Sequence, residues 1–222
     1  MTSLLNDYFN PDGELFQTYI TDYTVQYGAW DRRTYHIDID RWNALGDFHK
    51  IQDEHLACIL MPFLIIWGKI RAVQSWEGEQ IPRLKDFFEK NSERLIKFRE
   101  LDLESVNLPL LRLEISEIYQ DFNTIPQIAQ TTLSKILHLT CPTFFPILDE
   151  LIRKRLGLKE RDTDYFRFME LLKEQFLTSK EYRHFIETSM KDRPRSKIKI
   201  IDEYLWLRAK RENKDKKGKH RE

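Results

Sequence analysis

Glycine is scarce in this chain, with seven in 222 residues, few for a β-rich or nucleotide-loop protein. There is no glycine-rich phosphate loop, no Gly-x-Ser-x-Gly elbow and no His-Glu-x-x-His pair, which counts against the common nucleotide enzymes. Cysteine is limited to Cys58 and Cys141. They are far apart and each sits in apolar surroundings, so both are expected to be buried free thiols of a reducing compartment, and neither has metal-type spacing. The longest apolar run, residues 57–67, falls short of the about 20 residues that a bilayer requires. The N-terminus lacks the basic start and long apolar run of a signal peptide. No membrane partner and a cytoplasmic location are expected.

What is present is helical periodicity. The length suits one domain with a substantial core. From about residue 44 apolar side chains recur at steps of three and four: Leu56, Ile59, Leu60, Phe63, Ile66 and Trp67, with a kink expected at Pro62; Leu84, Phe87, Phe88, Leu95 and Phe98; Leu111, Ile115, Ile118 and Phe122. Asp162 and Ser179 are candidate caps of two later helices. Residues 1–43 are rich in aromatics, and alternation at Tyr23–Tyr27 and at Tyr35–Asp40 is strand-like, which makes a small hairpin conceivable. The expected fold class is mostly α: a short aromatic N-terminal arm over 1–43 packed on the body, a single compact multi-helix domain over 44–209, and a flexible basic tail over 210–222.

Charge balances overall but is unevenly spread. Residues 207–222 hold eight Lys or Arg against three acids, so the rest of the chain carries an acidic excess. Lys210, Arg211, Lys214, Lys216, Lys217 and Lys219 are the candidate nucleic-acid contacts, because clustered cations on a chain end attract phosphate backbones in a salt-dependent way. Such tails also serve solubility. The six histidines are scattered, and His49 and His55, six apart, face different sides of a helix. Asp38 and Asp40 would share a face if their segment were a strand, but a third metal ligand is missing. Neither a metal nor a cofactor is expected.

Residues 126–157 concentrate the chemistry. Two apolar helices meet at a Thr-Cys-Pro corner; the first carries Lys135 among its leucines and isoleucines, and Gly157 is placed to end the second. The helix with Lys135, the proline corner, the Phe-Pro-Ile-Leu-Asp segment ending at Asp149, and the Leu-Ile-Arg-Lys-Arg-Leu-Gly run that follows resemble the catalytic half of the helix-hairpin-helix DNA glycosylases. The chain departs from that family in lacking its Gly-x-Gly hairpin and in a shorter interval from Lys to Asp. The resemblance implies that Lys135 matches the lysine that attacks the sugar carbon and Asp149 the aspartate at the start of the following helix.

The pair also has a physical logic of its own. A lysine set in an apolar helix gives up hydration, which favours the amine needed for Schiff-base chemistry. An aspartate at a helix N-terminus is held ionised by the helix dipole and can stabilise a developing cation. The bland alternative is that Lys135 reaches solvent past Leu139 while Asp149 caps its helix or pairs with Arg153. Two functions therefore stand at this level: a DNA-associated protein of glycosylase-like architecture, with base-excision activity, or a non-catalytic helical interaction module.

Overall fold

The first two helices lie where the hairpin was conceivable. In a computed structural model, which describes residues 13–33, 35–67, 79–126, 128–192 and 195–219, α1 spans Gly13–Arg33 and α2 spans Tyr35–Asn43. Side chains at 28–33, 66, 67, 192 and 215–219 lie outside the described set. The strand-like alternation misleads because a five-residue window fits two periods. Phe16, Ile20 and Tyr23 recur at helical steps and are buried, while Val25, between two tyrosines, is exposed. Tyr35, Asp38, Ile39 and Trp42 likewise form one buried face.

A helical stretch then opens with Asp53–His55 and runs through π-helical segments Leu56–Leu60 and Phe63–Trp67. At Pro62, where a kink is expected, the helix changes register: proline has no N–H to give and crowds the preceding turn, and wide turns flank it on both sides. Cys58 on this stretch is exposed, which corrects the expectation of a buried thiol, whereas Cys141 is buried and donates to the carbonyl of Leu95.

The single helix expected near residues 82–98 is two, α3 (Gln80–Lys90) and α4 (Ser92–Arg99). Buried Asn91 breaks it, because its amide donates to the Phe87 carbonyl and to the Asp121 carboxylate. A short 3-10 turn at Leu108–Leu111 leads into α5 (Arg112–Phe122), followed by α6 (Gln130–Thr140) and α7 (Glu150–Leu156). The chain continues with α8 (Asp162–Leu172), a π-helical turn at Lys173–Leu177, α9 (Lys180–Asp192) and α10 (Lys197–Lys219). Asp162 is not the cap of α8; Arg161 holds that position and Asp162 accepts from Ser116 instead. No strand occurs among the described residues, and the fold is mostly α.

One hydrophobic core joins these helices. At its centre is α6, buried continuously from Thr132 to Thr140. Trp42, Phe48 and Phe88 pack together on one side, and Phe98 meets Phe144 and Phe145 on another. Helix α10 lies against α1: the Phe16 and Tyr204 rings are 4.8 Å apart, and Tyr23 and Tyr27 meet Trp206 edge-on. The flexible tail expected from residue 210 is instead, at its start, part of this packing. The helix runs on to Lys219, Arg211 pairs with Asp22 and stacks on Tyr19, and Glu212 is bridged by Arg155 and Arg208. Cations spaced three and four apart with aromatics opposite them gain a packed face that charge alone does not reveal.

Helix α7 ends at Gly157, whose φ of +66° lies in the left-handed region. A Cβ there would meet nothing within 4 Å, so substitution tests backbone strain alone. Gly157→Ala is expected to lower the urea unfolding free energy by about 1 kcal/mol with an unchanged m value, and Gly157→Asn by less. Equal midpoints for all three chains would contradict the left-handed cap.

Candidate functional site

The chain reverses at the end of α6 and runs back alongside it. Pro146 pushes Phe145 out of the helical region, so the helix expected from about residue 143 does not start until Glu150. The intervening segment, 145–149, is mostly buried and has no regular secondary structure, and its backbone polar groups need partners. Polar side chains of α6 supply several. Ser134 Oγ accepts the Leu148 N–H at 3.1 Å, and His138 Nδ1 lies 2.8 Å from the Phe145 carbonyl. Tyr165 from α8 donates to the Pro146 carbonyl at 2.8 Å.

This return brings Lys135 and Asp149 together. Asp149 sits in extended conformation as the N-cap of α7, and one carboxylate oxygen accepts the Leu151 N–H at 2.9 Å. The other lies 3.3 Å from Lys135 Nζ. The side chains are 9% and 21% exposed, so the pair is largely shielded but reachable at its rim. Lys135 does not run past Leu139 to water, and Asp149 does not pair with Arg153, which holds Glu160 at 3.1 Å. Chemically, an amine and a carboxylate in contact can exchange a proton, and the carboxylate at a helix N-terminus can face a developing positive charge.

Next to the pair is a shallow cleft whose lining includes Thr131, one turn before Lys135, and Leu148, the residue before Asp149. Arg153, Lys159 and Arg161 contribute cations to the same cleft.

A second polar cluster joins residues that are far apart in the sequence. A carbonyl only accepts, so His138 Nδ1 must donate to Phe145, and Nε2 then accepts from the Tyr35 hydroxyl at 2.6 Å. Burial drives the imidazole down to about 3, with the charge of Lys199 adding to that effect and the Phe145 contact opposing it. Lys199 lies 5.1 Å from the Tyr35 ring centre, 3.3 Å from Glu203 and 3.6 Å from Asp202. Glu203 in turn contacts Arg195. The available signal was Lys199 and Glu203 four apart within a run of isoleucine, tyrosine and leucine, a pattern of buried paired charge.

The tail candidates divide. Lys210 donates to the Tyr27 hydroxyl and stacks on Trp206, Arg211 is held by Asp22, and Lys214 is exposed. The side chains of Lys216, Lys217 and Lys219 lie outside the described residues. The Asp38 and Asp40 pairing is corrected by the helix: Asp38 is buried, its carboxyl raised by that burial against the pull of Arg41, while Asp40 is exposed. Among the described residues no three His, Cys, Asp or Glu side chains gather in a way that could hold a metal.

Compared with known proteins, the chain matches no family model, no curated protein and no solved structure.

His138 gives this region a pH dependence. The folded chain binds its proton only near pH 3, the unfolded chain near 6.5. Between these values the unfolded state holds more protons, so this contribution is complete above about pH 6.5 and is lost as pH falls. From pH 7 to pH 5 the loss is expected to be roughly 2 kcal/mol. Urea titrations of the wild type and His138→Gln should show a flatter profile in the variant; parallel profiles would contradict a neutral, buried His138.

Proposed function

We propose that this chain is a DNA-associated helical protein that carries out base excision, with Lys135 as nucleophile and Asp149 as its proton acceptor and electrostatic partner. The observation that supports this reading is the 3.3 Å contact between Lys135 and a helix-capping Asp149, shielded but reachable, beside a cleft that holds cations.

In the proposed reaction Asp149 takes a proton from the Lys135 ammonium. The freed amine attacks C1′ of a deoxyribose as the bond to the base breaks; the base leaves with the bonding electrons and takes the proton that Asp149 carries, which restores the carboxylate. The nitrogen then gives a second proton to Asp149, the C1′–O4′ bond breaks as the nitrogen lone pair forms the C=N bond, and Asp149 returns that proton to O4′, leaving a protonated imine between Lys135 and C1′. Asp149 faces the positive charge that develops at the sugar as the base departs. At an abasic site the same amine condenses with the open-chain aldehyde and water is lost. The basic end of α10, with Lys214 exposed and Lys216, Lys217 and Lys219 beyond it, supplies general attraction for the phosphate backbone. Lys210 and Arg211, already held by Tyr27 and Asp22, add less.

A second reading, a non-catalytic interaction module, is favoured by Leu110 and Leu113, which stand about three-quarters exposed, at 75% and 71%, three residues apart where the 3-10 turn meets α5.

Borohydride decides between them, because it reduces the imine to a stable amine. Incubation with DNA containing an abasic site or an oxidised base, followed by borohydride, is expected to give a covalent adduct with the wild type and none with Lys135→Ala. Asp149→Asn, which keeps a capping oxygen, should form the adduct more slowly by about 100-fold. Both variants must first be shown to melt cooperatively. No wild-type adduct, or an adduct that survives Lys135→Ala, would contradict the proposal and leave the interaction module.

A further inference from the structure

We infer that the cleft beside the Lys135–Asp149 pair is a phosphate site, and that a backbone phosphodiester of the DNA strand lies across it. The inference deepens the excision reading and rests on it for the identity of the strand.

The cleft is walled by the first turn of α6, by Leu148, by Arg153, by the three residues 159–161 and by the buried Tyr119 and Tyr165. Its cations differ in how far they are already committed. Arg153 is fixed: one terminal nitrogen donates to the Leu158 carbonyl at 3.3 Å and the other holds Glu160 at 3.1 Å. Its Nε–H is buried and meets no acceptor among the described residues. A buried donor without a partner is costly, and a phosphate oxygen reaching into the cleft would give this single N–H a charged acceptor. Lys159 is exposed and makes no ion pair among the described residues. Arg161 is exposed and reaches Asp164 only loosely, at 3.6 Å. One carboxylate, that of Glu160, also lines the cleft, and Arg153 engages it.

Position adds to charge. Thr131 precedes Lys135 by four residues of helix, a rise of about 6 Å, and Leu148 adjoins Asp149. The cleft has room for little more than a water molecule, so a phosphate lies across its mouth with one oxygen inward, on the order of one helical turn from the amine, and a single strand can engage both. The tail attracts DNA without fixing a register, whereas this cleft sets which nucleotide meets Lys135.

The test uses the full chain with Lys159→Gln and Arg161→Gln, both at exposed positions that leave Arg153 and the catalytic pair intact. Fluorescence anisotropy follows binding to a duplex with a reduced abasic-site analogue across a salt series, and inorganic phosphate is titrated separately. Each variant is expected to lose about 5- to 10-fold in affinity near 0.1 M salt and to lower the salt slope by about one, with unchanged melting. Unchanged affinity and slope in both variants would overturn the site. So would a wild type that binds no duplex, or one for which the variants affect inorganic phosphate alone. Borohydride trapping, read in parallel with protein in excess, separates the two proposals. An affinity loss without any wild-type adduct leaves the phosphate site standing and ends the excision reading. A wild-type adduct with unchanged binding in the variants does the reverse.

Discussion

A helix buried on every side cannot carry polar side chains unless each finds a partner, and α6 carries Ser134, Lys135, His138 and Thr140 inside the core. Their partners define the architecture around them. Ser134 and His138 satisfy the backbone of the returning segment, Lys135 meets Asp149, and Thr140 accepts the Trp42 indole N–H at 3.2 Å. The irregular stretch 145–149 is held by side chains rather than by a neighbouring strand. Each contact fixes one residue of it, so α7 starts where Asp149 can cap it and also face Lys135. Removal of any one partner would leave a buried polar group exposed to the full cost of desolvation.

The same constraint reaches the far side of the molecule. His138 is tied through Tyr35 to α2, and the Tyr35 ring lies against Lys199, which belongs to the buried charge cluster of α10. Buried ion pairs of this kind contribute little net stability but penalise rearrangement strongly. The candidate site thus rests on a helix whose neighbours on two sides are fixed by polar contacts, which suits a pair that has to hold one geometry.

The helix-period stripes made the fold class legible, because a buried helix face repeats its apolar residues whatever packs on it. Leu84, Phe87, Phe88, Leu95 and Phe98 are all in the core. Breaks inside those stripes were not legible: Asn91 splits one helix through contacts with Phe87 and with Asp121, thirty residues away, and only the second of those depends on the fold. The hairpin that was conceivable within 1–43 does not form where the alternation suggested it, because Tyr23 and Tyr27 satisfy a period of two and a period near four equally well. Lys135 was singled out as the polar residue of an apolar helix and Asp149 through the family resemblance, and the structure brings them into contact. The His138–Tyr35 bond links residues 103 apart, a distance over which no local pattern carries information. Lys210 and Arg211 looked like solvated charges because Tyr27 and Tyr19, which they meet, lie at the other end of the chain, although Trp206, on which Lys210 also stacks, is one turn away on the same helix.

The central claim is that Lys135, among many lysines, is the one placed to react. Peptide mass spectrometry of the borohydride-reduced complex tests it most directly, since the reduced sugar remnant stays on the lysine that formed the imine. The remnant is expected on the peptide containing Lys135. A remnant on Lys154, Lys159 or another exposed lysine would contradict the claim, because adduct formation would then reflect surface amines near DNA rather than a built site.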